Sequence, residues 1–284
     1  MNKKYISILV IFPIITMSIF LTSNTFDENE LNLEEITPTK SKLIEWNDHG
    51  LFRYLVDPEK IQMVGTSAFP EEAYFEFKSG SEYDYEGIMN QNENVAFIVP
   101  IFTGSAYSEN GFYGYFEKKC DEKCLTTEII SAEMLKGTSS DHAVKILYLL
   151  GYNAISDIEV EKNPNILEKY DKIILLHNEY VTKTMFDAIT NHPKVIYLYP
   201  NALYAEISYN EFYETISLVR GHGYPNDEIM NGFDWKYDNT HPFEFDSECI
   251  DWEFYKIPNG IMLNCYPEEI IWHDELLLKT IKEF

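Results

Sequence analysis

Residues 170–206 read YDKIILLHNEYVTKTMFDAITNHPKVIYLYPNALYAE, and this stretch decides the fold class. Ile173 to Leu176 is a short, wholly apolar run, as a strand shows when a parallel sheet buries both its faces. It stops at His177, Asn178, Glu179 and Tyr180, polar or amphipathic side chains in succession. Thr184 followed by Asp187 has the form of a capping box, so a helix is predicted from there to about Asn191. His192-Pro193 closes it, because the proline ring disfavours helical geometry at the preceding residue. Lys194 to Tyr199 alternates and is rich in Val, Ile and Tyr, which predicts a second strand ended by Pro200-Asn201. The unit is strand, helix, strand, with polar groups clustered beyond both strand C-termini. Open parallel α/β sheets bind ligands at that edge, so a site is expected there.

Outward from this unit the alternation repeats. Val95 to Phe102 (VAFIVPIF) is another apolar run, predicted as the first strand of the sheet. Thr103 to Gly111 then reads as a loop carrying glycines and hydroxyls at a strand's C-terminal end. Ser139-Ser140-Asp141 caps a predicted helix in which Ala143, Ile146, Leu147 and Leu150 share one face, and Gly151 ends it. Asn153 to Val160 reads as a strand, and Asn163-Pro164 opens a short helix through Tyr170. Strand–helix alternation of this kind predicts an α/β protein with a three-layer, flavodoxin-like parallel sheet. Ahead of it, residues 43–94 predict a β-rich lead-in, with strand-like pieces such as AYFEF (Ala73 to Phe77). Behind it, Tyr209 to Arg220 spaces Phe212, Ile216 and Val219 on one helical face, and Gly221 to Pro225 is a turn. A C-terminal extension follows, with strand-like residues Phe254 to Leu263 and a closing amphipathic helix, Asp274 to Lys282.

The 284 residues, 45% of them apolar, suffice for one sizeable core. With 47 acidic against 22 basic residues the net charge is −25, which excludes a nucleic-acid partner and disfavours anionic membrane surfaces. Solubility in a salty exterior is explanation enough for that acidity. Asn2-Lys3-Lys4 followed by the apolar run Tyr5 to Leu21 has the form of an export signal. As a helix that run would reach about 26 Å, slightly short of a hydrocarbon core of ~30 Å. Leu21-Thr22-Ser23 matches an Ala-x-Ala cleavage site poorly, so a cleaved signal and a retained N-terminal membrane anchor both stay open. The expected organisation is a signal or anchor over 1–23, an acidic tether over 24–42 and one α/β domain over 43–284, outside the cytoplasm. Four cysteines in that compartment predict the local disulfides Cys120–Cys124 and Cys249–Cys265, with a four-cysteine zinc site as the rival.

Three segments carry a resemblance to a known family: Ala106-Tyr107, His177-Asn178-Glu179-Tyr180-Val181 and Tyr197-Leu198-Tyr199-Pro200-Asn201. In this order they resemble the AYN-type loop, the His-x-Glu-Tyr-Trp motif and the YLGGN-type strand end of the N,N-dimethylformamidase large-subunit type. That domain belongs to the class I glutamine-amidotransferase-like fold group. Val181 stands where the family has Trp, Pro200 stands for a Gly, and no second tyrosine ligand is assigned. The resemblance covers residues 95–206. It implies hydrolysis of a small amide at a mononuclear iron held by oxygen ligands, chemistry suited to hard donors and a Lewis acid. On this chain Glu179 would be the carboxylate ligand and Tyr107 the phenolate ligand. His177 would be the acid/base group, and Asn201 would orient the substrate or a bound water. Glutamine amidotransferase activity itself is excluded, since no cysteine stands in a Gly-x-Cys-x-Gly elbow after a parallel strand.

Each of these residues also has a plainer reading. His177 and Glu179 can pair in a solvated loop, Tyr107 can pack like the other tyrosines, and Asn201 can simply end its strand. His222, between two glycines, reads as part of a turn, His142 stands at the start of a helix, and His49, His241 and His273, in aromatic-rich surroundings, read as structural. Two functions follow: an exported hydrolase of amide or other C–N bonds taking a small-molecule substrate, or a cell-surface binding or structural domain on the same fold without catalysis.

Overall fold

The computed structural model describes residues 43–47, 50–80, 85–91, 94–109, 111–130, 140–238, 246 and 248–284. The signal and tether expected over 1–42, and His49 and His241, lie outside them. The lead-in is β-rich. Strands β1 (Ile44–Asn47), β2 (Phe52–Val56) and β5 (Ala73–Phe77) form an antiparallel sheet, and β3 (Ile61–Val64) pairs with β4 (Ser67–Pro70).

The central sheet contains β6 (Val95–Val99), β8 (Asn153–Ser156), β9 (Lys172–Leu175), β11 (Val195–Tyr197), β14 (Phe254–Ile257) and β15 (Gly260–Leu263), in the spatial order β14-β15-β11-β9-β6-β8. All its pairings are parallel except that of β14 with β15. Numbered along the chain, the parallel strands lie in the order 2-1-3-4-5, which is the flavodoxin-like topology. Strands β6, β9 and β11 are buried along their whole length, as continuous apolar runs in a parallel sheet must be. The strand order reverses between β6 and β9, so the crevice for a ligand opens beyond the C-termini of those two strands.

A second sheet lies beyond that edge. It consists of β7 (Thr126–Glu128), β10 (Tyr180–Thr182), β12 (Ala205–Asn210) and β13 (Thr215–Arg220), in the order β10-β12-β13-β7. Only the β10–β12 pairing is parallel. Among the described residues six α-helices accompany the sheets: α1 (Ile101–Ala106), α2 (Phe112–Phe116), α3 (Asp141–Leu149), α4 (Asp157–Lys162), α5 (Lys183–Asn191) and α6 (Glu275–Glu283). Among the described residues no helix is long and apolar enough to cross a membrane.

Four local expectations are corrected. Residues 209–220 are not helical but the hairpin of β12 and β13, in which Ile207, Ile216 and Leu218 are buried while Phe212 is 85% exposed. The apolar spacing of Phe212, Ile216 and Val219 fits a helix by coincidence. The backbone instead turns where Asn210 Oδ1 accepts from the N–H groups of Phe212 and Tyr213. Residues 153–160 split after Ser156, because Ser156 and Glu159 make a reciprocal capping box that starts α4. Residues 95–102 end as a strand at Pro100, and Ile101 onward is α1 rather than loop. Finally, α5 is capped by Thr182, whose hydroxyl accepts from Met185 N–H, whereas Asp187 pairs with Lys183. The closing helix and the strands between 254 and 263 form as expected.

Both local disulfides are present, Cys120–Cys124 with Cα atoms 6.0 Å apart and Cys249–Cys265 with 5.5 Å. No cysteine is left for zinc. Two disulfides mark an oxidising, extracytoplasmic environment.

Candidate functional site

The site begins with the backbone between β9 and β10. The chain leaves the central sheet at Leu175 and enters the second sheet at Tyr180, so His177, Asn178 and Glu179 bridge the two. This bridge is pinned on all sides. Ser140 Oγ accepts from His177 N–H at 3.1 Å, which explains why Ser140 makes no side-chain cap to α3. Thr103 Oγ1, on α1, accepts from the N–H groups of Glu179 at 3.0 Å and Tyr180 at 3.2 Å. The Glu179 carbonyl in turn accepts from Tyr204 and Ala205, both at 2.9 Å. Asn178 Oδ1 accepts from Leu176 N–H at 3.1 Å. A peptide held by so many partners fixes its side chain before any ligand arrives.

Glu179 is 1% exposed and stands at the centre of a polar cluster. Tyr107, the residue after α1, donates its hydroxyl to Glu179 Oε2 at 2.6 Å. His177 Nε2 lies 3.2 Å from the same oxygen. His222 Nε2 bonds the other oxygen, Oε1. Burial pushes the Glu179 carboxyl upward, but the charge on His222 when protonated and the contacts from both imidazoles outweigh it and hold the group well below the usual carboxylate range. Burial, then the neighbouring carboxylate, drives the Tyr107 phenol far above its ordinary value. Tyr107 therefore acts as a donor here, although its ring is 40% exposed.

Aromatic rings set the imidazoles. His177 stacks on Tyr199, centroids 5.6 Å apart, and Tyr266 meets it edge-on. Tyr199 is itself held by the half-buried Glu268. His222 stacks on Tyr180 at 5.3 Å and packs against Tyr204 and Phe116. Its backbone is left-handed, with φ +49°, between Gly221 at +121° and Gly223 at +75°. Gly232 lets the hairpin close behind it: a Cβ there would lie 2.3 Å from the Arg220 carbonyl oxygen.

Of the residues singled out in the sequence, Tyr107, His177 and Glu179 come together although 72 residues separate the first from the last. Asn201 is buried near the same strand ends, with Oδ1 lacking a hydrogen-bond partner, and no hydrogen bond joins it to Glu179. His222 is the member that sequence reading passed over as a turn residue. The Gly-His-Gly string was its only signal, a sign of special backbone rather than of its partner. The oxygen pair implied by the resemblance, Tyr107 and Glu179, is thus adjacent. Among the described residues, however, no group of three or more His, Cys, Asp or Glu side chains is arranged to hold a metal ion. His222 bonds the carboxylate, and His177 lies 3.2 Å from its other oxygen.

No protein-family model matches the chain, and no curated protein matches it.

Proposed function

We propose that this chain is an exported hydrolase that cleaves an amide or other C–N bond of a small molecule, with Glu179 at the centre of its site. The convergence of Tyr107, His177 and His222 on one buried carboxylate carries this reading, because it occurs at the switch point of a parallel sheet. In the reaction an imidazole takes a proton from water as the oxygen attacks the carbonyl carbon. The same imidazole then returns that proton to the departing nitrogen, giving an acid and an amine. Glu179 orients the imidazoles and stabilises the imidazolium that forms, and Tyr107 fixes the carboxylate by donating to Oε2. Buried polar atoms without partners, Asn201 Oδ1 and Tyr180 Oη among them, give a bound substrate groups to satisfy.

The iron that the resemblance implies would be held by the Tyr107 and Glu179 oxygens, hard donors suited to it, once Tyr107 gave up the proton it donates to Glu179, and it would supply Lewis-acid polarisation of the substrate carbonyl. Export follows from the N-terminal pattern and accords with the two disulfides, and residues 5–21 would anchor the chain if retained. The net charge of −25 argues against nucleic acid as a partner.

The test is turnover of a panel of small amides by the purified chain, with metal content measured alongside. Glu179→Gln should abolish turnover, and His177→Ala should reduce it by about 10²–10⁴, the usual worth of a general base. A folded wild-type protein without turnover on any amide would overturn the proposal and leave the binding domain.

A further inference from the structure

A cavity of about 620 Å³ lies between the end of α2, with the residues that follow it, and the turn after β13. Its volume falls within the range of small-molecule sites. His222 lines it, which connects the cavity to Glu179. His222 is 7% exposed, and its second ring nitrogen, Nδ1, is buried without a hydrogen-bond partner. A buried polar atom left in that state costs free energy that a ligand group can recover.

The rest of the lining describes what would fit. Tyr115, Phe116 and Met230 give it an apolar side. Of its lysines, Lys119 is already paired with Glu117 at 2.8 Å, whereas Lys118 makes no ion pair among the described residues. Of its aspartates, Asp121 caps Lys123 N–H at 3.0 Å, whereas Asp227 makes neither ion pair nor hydrogen bond among the described residues. The cavity therefore offers one uncommitted cation and one uncommitted anion. Lys118 also has φ +60°, at a helix end where glycine is usual, and the Cys120–Cys124 disulfide closes the segment beside it. Lys118 and His222 are both non-glycine residues in the left-handed region, and both line this one cavity.

We infer that the cavity binds a small zwitterion of dipeptide size, its carboxylate at Lys118, its ammonium at Asp227, and the amide between them at His222. Such a molecule is neutral overall, so the −25 charge of the chain does not repel it. The assignment of His222 to the amide rests on the hydrolase reading; the binding of the zwitterion does not.

The experiment is calorimetric titration of the full chain with glycyl-phenylalanine, its C-terminal amide and its N-acetyl derivative. The free dipeptide should bind at least about tenfold more tightly than either blocked form, a difference of about 1.4 kcal/mol. Lys118→Gln should remove discrimination against the C-terminal amide, and Asp227→Asn discrimination against the acetylated form. Equal binding of the three probes, no binding of any at millimolar concentration, or unchanged discrimination in both variants would overturn the inference. Binding by wild type and Glu179→Gln without hydrolysis by either would uphold the cavity and remove the hydrolase reading.

Discussion

Replacing Glu179 with glutamine keeps the shape of the side chain and removes its charge. In the native chain that carboxylate is 1% exposed, takes the Tyr107 hydroxyl at 2.6 Å and is flanked by two imidazoles. Breaking a buried charge-paired contact costs about 3–5 kcal/mol, and glutamine still accepts from Tyr107, so ~3 kcal/mol is expected. For a chain of this size that lowers the melting temperature by about 6–12 °C. The pH dependence gives a sharper check. Because the folded carboxyl is held below its unfolded value, its stabilisation is present above pH ~4.3 and is lost as pH falls towards the folded value. Each pH unit below that point removes about 1.4 kcal/mol from the wild type and nothing from Glu179→Gln, so the gap between them should halve near pH ~3.3. Scanning calorimetry of both proteins at pH 7 and pH 3.3 measures it. A gap under about 2 °C at pH 7, or one that does not narrow in acid, would refute the charge-centred account of the cluster.

Tyr107→Phe should cost about 1.5–3 kcal/mol in chemical denaturation, since it removes a hydrogen bond to a charged group but keeps the stack on Tyr113. Asp157, fully buried at the start of α4, has its carboxyl raised well above the ordinary range by burial, so the stability it provides is full below its unfolded value and is lost as pH rises through the folded one. Asp157→Asn, which can still accept from Phe102 N–H through its amide oxygen, should therefore match or exceed the wild type in melts at pH 8. Replacing Cys249 and Cys265 with serine opens a loop with a sequence separation of 16 and should cost about 3 kcal/mol, against about 2 for the shorter Cys120–Cys124 loop. Gly232→Ala should destabilise by about 1–3 kcal/mol or more, because the added Cβ meets backbone atoms of Arg220 and Glu206.

The sheet could be read because its strands are two-sided. Ile173 to Leu176, Val95 to Val99 and Val195 to Tyr197 are buried on both faces, and uninterrupted apolar runs admit few other readings. Because polar residues follow those runs directly, Tyr107, His177 and Glu179 could be placed at one edge. The second sheet was hidden for the opposite reason. Its hairpin at 205–220 is half-exposed, and Phe212 and Val219, both outward, mimic a helical stripe. A helix over 209–220 does not bring His222 back to Glu179, whereas the return of β13 beside β12 does.

The passage of residues 177–179 from one sheet to the other has a consequence for when the site exists at all. His177 follows β9 of the central sheet, while His222 follows β13 of the smaller one, and Glu179 fastens them like a rivet through two plates. Opening of the small sheet alone would part the imidazoles while leaving the central strands intact, so the cluster should have a local unfolding equilibrium of its own. Its signature is in amide exchange: the Glu179 and Tyr180 protons, locked onto Thr103, should report the rate at which the two plates separate.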